Sequence, residues 1–264
     1  MTSSRSRRSL VVVNLLGWIV VVVVNALATA IPLGGMTTGA LSDLYPNLFV
    51  PAGITFAIWG LIYVLLGVFA VYGIVYTHRE IEPVNGFPEK IGVLFALSCV
   101  ANAGWIFAWQ YRHVVLSLVS MLVLLAALIG TYLSLGIGRS RARRAERILV
   151  HVPMSVYLGW ITVATIANVT AVIVRYHRGG FGGSEQAWAV AVISVGILVG
   201  LAAAFLRRDI AFALVIDWAV LGILLKRLAV GAGTAHGVVV VSIVGIVVLT
   251  LAAIVQVARG RARS

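Results

Sequence analysis

The chain has 264 residues, 61% of them hydrophobic and 11% charged, with a net charge of +12 and a mean hydropathy of +1.08. Soluble domains carry about 25% charged residues. This chain therefore lacks the polar side chains to cover itself in water, and its solvent is mostly lipid. Its single cysteine, Cys99, sits in an apolar run, which excludes an intrachain disulfide and a thiolate metal cluster.

In chain order, eight apolar runs cover about 10–32, 50–76, 91–111, 114–138, 148–174, 187–206, 210–229 and 237–258. A helix of about 20 apolar residues crosses a bilayer. Backbone groups in hydrocarbon must bond within their own segment, and continuous rather than alternating runs argue against a β-barrel. The expectation is an all-α integral membrane protein with eight transmembrane helices. The first run follows "RSRRSL" and ends near "ALATAIP", as in a signal peptide. It is longer than the about 7–15 residues of a signal core, so it reads as an uncleaved span.

Positive charge sets orientation. With the N-terminus inside, fifteen basic residues fall on the inner side, including Arg79, Arg263 and the run "GRSRARRAER". Five fall outside: Arg112, Arg175, Arg178, Lys226 and Arg227. This places the chain in the plasma (cytoplasmic) membrane, multi-pass, with both termini cytoplasmic. It also accounts for the +12 by topology and attraction to anionic lipid, with no nucleic-acid partner. A Gly-rich outer loop, residues 175–186, separates five spans from three. It lacks the residue order of a phosphate loop.

Polar and aromatic residues recur at helical spacing. Trp59, Tyr63 and Gly67 share a face of the second span. Ser98, Asn102, Trp105 and Trp109 form a stripe in the third. Tyr157, Trp160, Ala164 and Asn168 do so in the fifth, and Asn25 lies in the first. At 1.5 Å rise per residue, Trp59 and Asn102 lie roughly 13 Å below their outer ends, too deep for an interfacial belt, while Trp109 is shallow enough to be a belt residue. Amides facing lipid would go unsatisfied, so these faces are expected to converge inside the bundle around a site for a flat, apolar ligand. The alternative is simple helix-packing glue. Above that depth, the outer loop at 33–50 carries Tyr45, Pro46 and Phe49 and leads to Pro51, which suits the first turn of a helix. It can act as a lid.

These residues resemble the TspO/MBR family, the tryptophan-rich sensory proteins that include the mitochondrial translocator protein. The resemblance rests on Pro51 with Trp59, Tyr63 and Gly67, on "NAGW" (Asn102, Trp105) and on "YLGWITVATIAN" (Tyr157, Trp160, Ala164, Asn168), and covers about residues 10–175. It implies a TspO-like five-helix bundle over 1–176, followed by a three-helix extension over 177–264. It also implies a pocket for a porphyrin, sterol-like or other planar hydrophobic molecule, lined or supported by Asn25, Trp59, Tyr63, Asn102, Trp105, Tyr157, Trp160, Ala164 and Asn168. No resident cofactor is required; porphyrin or haem would be a ligand. The first loop departs from the family in having no tryptophan, Val156 stands where the family has proline, and Thr55 and Ala57 precede Trp59. "VRYHR" fits a loose cholesterol pattern ending in Tyr176 and Arg178.

In the last three runs, Gly196, Gly200 and Ala204 make a small-residue face for close helix approach, within the chain or in a homodimer. Asp217 is the acid deep within a span. Its insertion is costly, so it should face the interior and have a partner; it is a candidate proton site or a structural hydrogen bond. Lys226 and Arg227 are expected to snorkel to the outer surface. The five histidines, His113 and His151 among them, are scattered, and no nucleophile sits beside a base, so no enzyme activity is expected. The leading expectation is a ligand-binding membrane protein acting in sensing or transport, whose partners are membrane lipid and a hydrophobic small molecule. The alternatives are a proton-coupled transporter using Asp217 and a scaffold subunit.

Overall fold

The structure is a computed structural model that describes residues 4–31, 33–78, 87–176, 184–231, 233 and 235–261. Arg79, Arg178, Arg263 and most of the Gly-rich loop lie outside the described residues. Every regular element among the described residues is helical: α1 (Ser4–Ala30), α2 (Thr38–Ser42), a 3-10 turn (Gly53–Ala57), α3 (Ile58–His78), α4 (Phe87–Gln110), α5 (Val114–Leu135), α6 (Arg144–Glu146), a π turn (Arg147–His151), α7 (Val152–Tyr176), α8 (Glu185–Leu206), α9 (Ile210–Val230) and α10 (His236–Arg261).

Seven helical stretches among the described residues are long and apolar enough to cross a membrane: Arg7–Ala30, Gly53–His78, Phe87–Gln110, Val114–Leu135, Arg144–Tyr176, Glu185–Leu206 and His236–Gly260. The eighth expected span is the helix α9. It stands apart because Asp217, Lys226 and Arg227 all lie within it. Large apolar side chains stay exposed along these helices, Val64, Val93, Val100 and Leu198 among them. A water-soluble surface rarely tolerates apolar patches on that scale, whereas a lipid-facing one requires them.

By internal contacts the chain forms two units, residues 1–38 with 58–158, and residues 39–57 with 159–264. In the first, α4 packs along α5 and α1, and α1 also packs on α3. Trp18 explains the close approach of α1 and α3. Its indole Nε1 donates to the Tyr63 carbonyl at 2.9 Å, and its ring lies over Gly67, where a β-carbon would meet Trp18 Cζ2 at 2.6 Å. Near the far end of α3, Phe69 meets Phe95 at 4.8 Å between centroids and Tyr76 meets Phe87 at 4.8 Å. Arg7 pairs with Glu89 to tie α1 to the first turn of α4. The π turn before α7 has a local cause. A proline ring clashes with the carbonyl four residues back and lacks an N–H, and Pro153 follows this widened turn. Helix α5 ends at Gly136, whose φ of 62° is the left-handed conformation that glycine adopts without penalty.

In the second unit, α10 packs on both α9 and α8, and α8 on α9. The small-residue face of α8 is used within the chain. A β-carbon at Gly200 would meet Leu249 Cδ2 at 2.9 Å, and Ala204 joins Ala213 and Ala252 in a tight cluster. Gly196 has open space beside it. Ser184 caps α8 by accepting from the Ala187 amide, and Asp209 caps α9 by accepting from the Phe212 amide; such side-chain acceptors satisfy donors that the helix leaves open.

Gly67→Ala is expected to destabilise the protein by about 1–3 kcal/mol, because Trp18 must shift or break its hydrogen bond. Thermal unfolding in detergent measures it, with Gly60→Ala as control, since a β-carbon there meets nothing within 4 Å.

Candidate functional site

The first unit brings six of the nine expected pocket residues together. Asn102 is fully buried. Its Nδ2 donates to the Tyr157 hydroxyl at 2.8 Å, and its Oδ1 accepts from Asn25 Nδ2 at 2.9 Å. Asn25 also donates to the Val21 carbonyl of its own helix. One amide thus joins α1, α4 and the first turns of α7. Buried amides persist where their partners are supplied by neighbouring helices.

Around this chain of bonds the aromatic rings form a column. Trp59 stacks on Tyr63, with centroids 5.6 Å apart and planes 20° apart. It stacks on Trp105 at 5.4 Å and 27°. Trp105 in turn stacks on Trp109 at 6.4 Å and 18°. Tyr157 presents its ring at a steep angle to Trp59, 6.4 Å away. Contacts of this kind contribute about 0.5–1.5 kcal/mol each beyond burial. The Tyr63 hydroxyl is buried beside Asn102. Trp109 is not the interfacial belt residue expected from its shallow depth. It is 6% exposed and donates to the Thr38 carbonyl, because the column continues upward through it. Gln110, which no spacing pattern singles out, is buried beside it; its Oε1 accepts from the Gly34 amide and its Nε2 donates to the Ala28 carbonyl.

The other three expected residues lie further along α7, in the second unit. Trp160 is buried and meets Phe56 edge to face at 5.9 Å. Asn168 donates to the Ala164 carbonyl one turn back, and Ala164 is half-buried. His151 is buried in the π turn with no hydrogen bond to its Nε2, whereas His113 is exposed.

The expected lid loop is ordered by Asn47. The Asn47 side chain accepts from the Phe49 and Val50 amides and donates to the Tyr45 carbonyl, the local bonding that makes asparagine a turn residue. Tyr45, Phe49 and Pro51 are buried and Pro46 is exposed. The loop is fastened to α9, a partner the sequence did not reveal. The Ala52 amide donates to the Gly222 carbonyl, Trp218 Nε1 donates to the Thr55 carbonyl, and Lys226 pairs with Asp43. A β-carbon at Gly222 would overlap Thr55, so glycine is what lets this turn seat. Lys226 and Arg227 therefore do not both reach free surface. Lys226 holds Asp43, and Arg227 is 8% exposed, because the loop folds over the end of α9. Asp217 is half-buried, and its Oδ2 accepts from Thr250 Oγ1 of α10 at 2.9 Å. Its Oδ1 is buried with no partner.

An all-helical membrane protein with an interior aromatic column and an amide joining three helices is the class these features define. The sequence profile of the TSPO-like protein family matches residues 11–255, and the chain belongs to that family. The match runs well past residue 175, so α8, α9 and much of α10 fall within the matched region and not outside it. No curated protein and no solved structure gives a match.

Asn102→Leu removes the bonds to Asn25, which keeps only its bond to the Val21 carbonyl, and to the Tyr157 hydroxyl, and is expected to cost about 1–3 kcal/mol. Tyr157→Phe removes one bond and is expected to cost about 0.6 kcal/mol, the average for such bonds in membranes. Chemical unfolding of the two variants in detergent checks the order.

Proposed function

We propose that this protein binds a planar, mostly apolar molecule, tetrapyrrole-, sterol- or lipid-like, through the aromatic column, and that binding serves sensing or movement of that molecule without catalysis. The observation that supports this reading most is the near-parallel stack of Tyr63, Trp59, Trp105 and Trp109. A flat ring system gains most by lying against such a face. A porphyrin suits that face by shape; the column itself offers no histidine or cysteine as an iron ligand. In this reading α9 crosses the membrane as an eighth span, its three charges being taken up at Thr250, at Asp43 and beneath the loop. The positive-inside distribution puts both termini on the cytoplasmic side of the plasma membrane, with the lid loop outside. Intrinsic tryptophan fluorescence tests the proposal. A porphyrin, a sterol and a fatty acid are titrated into purified protein, and saturable quenching by the flat ligand is expected. Trp105→Ala should weaken it by about tenfold, the equivalent of about 1.4 kcal/mol of stacking. Quenching that is linear in ligand, or unchanged by the substitution, contradicts the reading.

Asp217 favours a second reading, proton-coupled transport, because its Oδ1 is buried without a donor. A carboxyl with one oxygen bonded and the other free can take up a proton there. In proteoliposomes, Asp217→Asn should abolish uptake driven by a pH gradient while ligand quenching survives. Equal uptake by both proteins leaves Asp217 as a structural partner of Thr250.

A further inference from the structure

The turn between α5 and α7 gathers arginine. Residues 138–147 read GRSRARRAER, and Arg139, Arg141, Arg143, Arg144 and Arg147 are all exposed. The acid among them, Glu146, is buried; counted in full, it offsets one arginine of the five. Glu89 is taken by Arg7. Glu80 and Glu82 complete the acids on the inner side of this unit and lie outside the described residues. Against these four acids the same side carries ten basic residues, so the charge is not cancelled within the unit. The turn is also fixed in shape. Gly136 and Gly138 take φ of 62° and 79°, left-handed values that suit glycine. The Arg139 and Ser140 amides donate to the Gly136 carbonyl, and the Ser140 hydroxyl donates to the Leu135 carbonyl. Ile137, between them in sequence, is buried.

The spans on either side set its depth. One ends at Leu135 and the next begins at Arg144, so these arginines lie where hydrocarbon gives way to water. The Arg147 amide donates to the Arg144 carbonyl, which puts the two side chains one turn apart. Ile148, next to Arg147, is 50% exposed, as a residue facing acyl chains is. We propose that this turn is a binding surface for anionic phospholipid headgroups, engaged by Arg139, Arg144 and Arg147. A guanidinium fork matches two phosphate oxygens at once, and the acyl chains of the same lipid descend past the apolar neighbour. Basic clusters beside a span bind lipids of net negative charge; a zwitterionic head offers the same phosphate with a cation attached. Positive charge that only orients the chain during insertion needs no fixed arrangement, whereas here a hydrogen-bonded turn holds the arginines in place. The surface does not involve the aromatic column, so the two readings stand or fall independently.

The test uses the full chain reconstituted in phosphatidylcholine bilayers with a trace of spin-labelled phosphatidylglycerol or spin-labelled phosphatidylcholine. Electron paramagnetic resonance reads the fraction of label that the protein immobilises. At low salt, phosphatidylglycerol should associate about fivefold more strongly than phosphatidylcholine. That preference should vanish in 1 M salt, where the screening length is about 3 Å. Arg139→Gln, Arg144→Gln and Arg147→Gln together should remove most of it. Arg208→Gln, Arg259→Gln and Arg261→Gln together take as many charges from elsewhere on the inner side and should leave most of it. If the first triple variant does not fold, the single change Arg144→Gln should lower the preference by about half. Equal association of the two lipids, a preference that survives 1 M salt, or a loss no larger at this turn than at the other three arginines overturns the proposal.

Discussion

The two hydrogen bonds of Asn102 hold the first unit in register. Helices in lipid have little hydrophobic reason to prefer one neighbour or one rotation over another. A fully buried amide removes that freedom, because any rotation that turns it toward acyl chains leaves donors and an acceptor unpaired. With Asn25 on one side and the Tyr157 hydroxyl on the other, Asn102 fixes three helices at once. Trp105 lies one turn further along the same helix, and Tyr157 sets the edge on which Trp59 rests. The aromatic column is thus a consequence of where the amide must go.

The second unit is organised by a different constraint. Here a loop that could drift in water is made rigid by Asn47 and then docked onto α9 through backbone and indole bonds at Gly222, Thr55 and Trp218. The consequence is that the region expected to act as a lid shares its stability with the C-terminal helices. A change in α9 would be felt at the loop, and the match of the TSPO-like family through residue 255 is consistent with those helices being integral to the protein. The same docking buries Arg227, which would otherwise extend along the helix end into the headgroups.

Much of this was legible in the sequence. Apolar runs locate the helices closely, since the hydrocarbon thickness imposes their length. The spacing of Asn102 and Trp105, and of Trp59 and Tyr63, puts those pairs on shared faces by helical periodicity alone. Pairing across helices is less legible. Nothing in the spacing says that Trp18 covers Gly67, that Trp109 is covered instead of facing the interface, or that Gln110 turns inward, because each depends on the rotation of a neighbouring helix. The fastening of the loop to α9 was illegible for the same reason: its partners are a glycine carbonyl and an indole far along the chain. Asp217 was expected to find a partner inside the protein, and Thr250 is that partner.

The central claim is that the Asn102 amide keeps the tryptophan rings in their stacked order. Near-ultraviolet circular dichroism reads this directly, since indole rings 5.4 Å apart couple strongly enough to give a paired positive and negative band. Replacing Asn102 with leucine should collapse that pair of bands while the far-ultraviolet helical signal persists. A variant that keeps the full coupled signal would show that the rings order themselves without the amide.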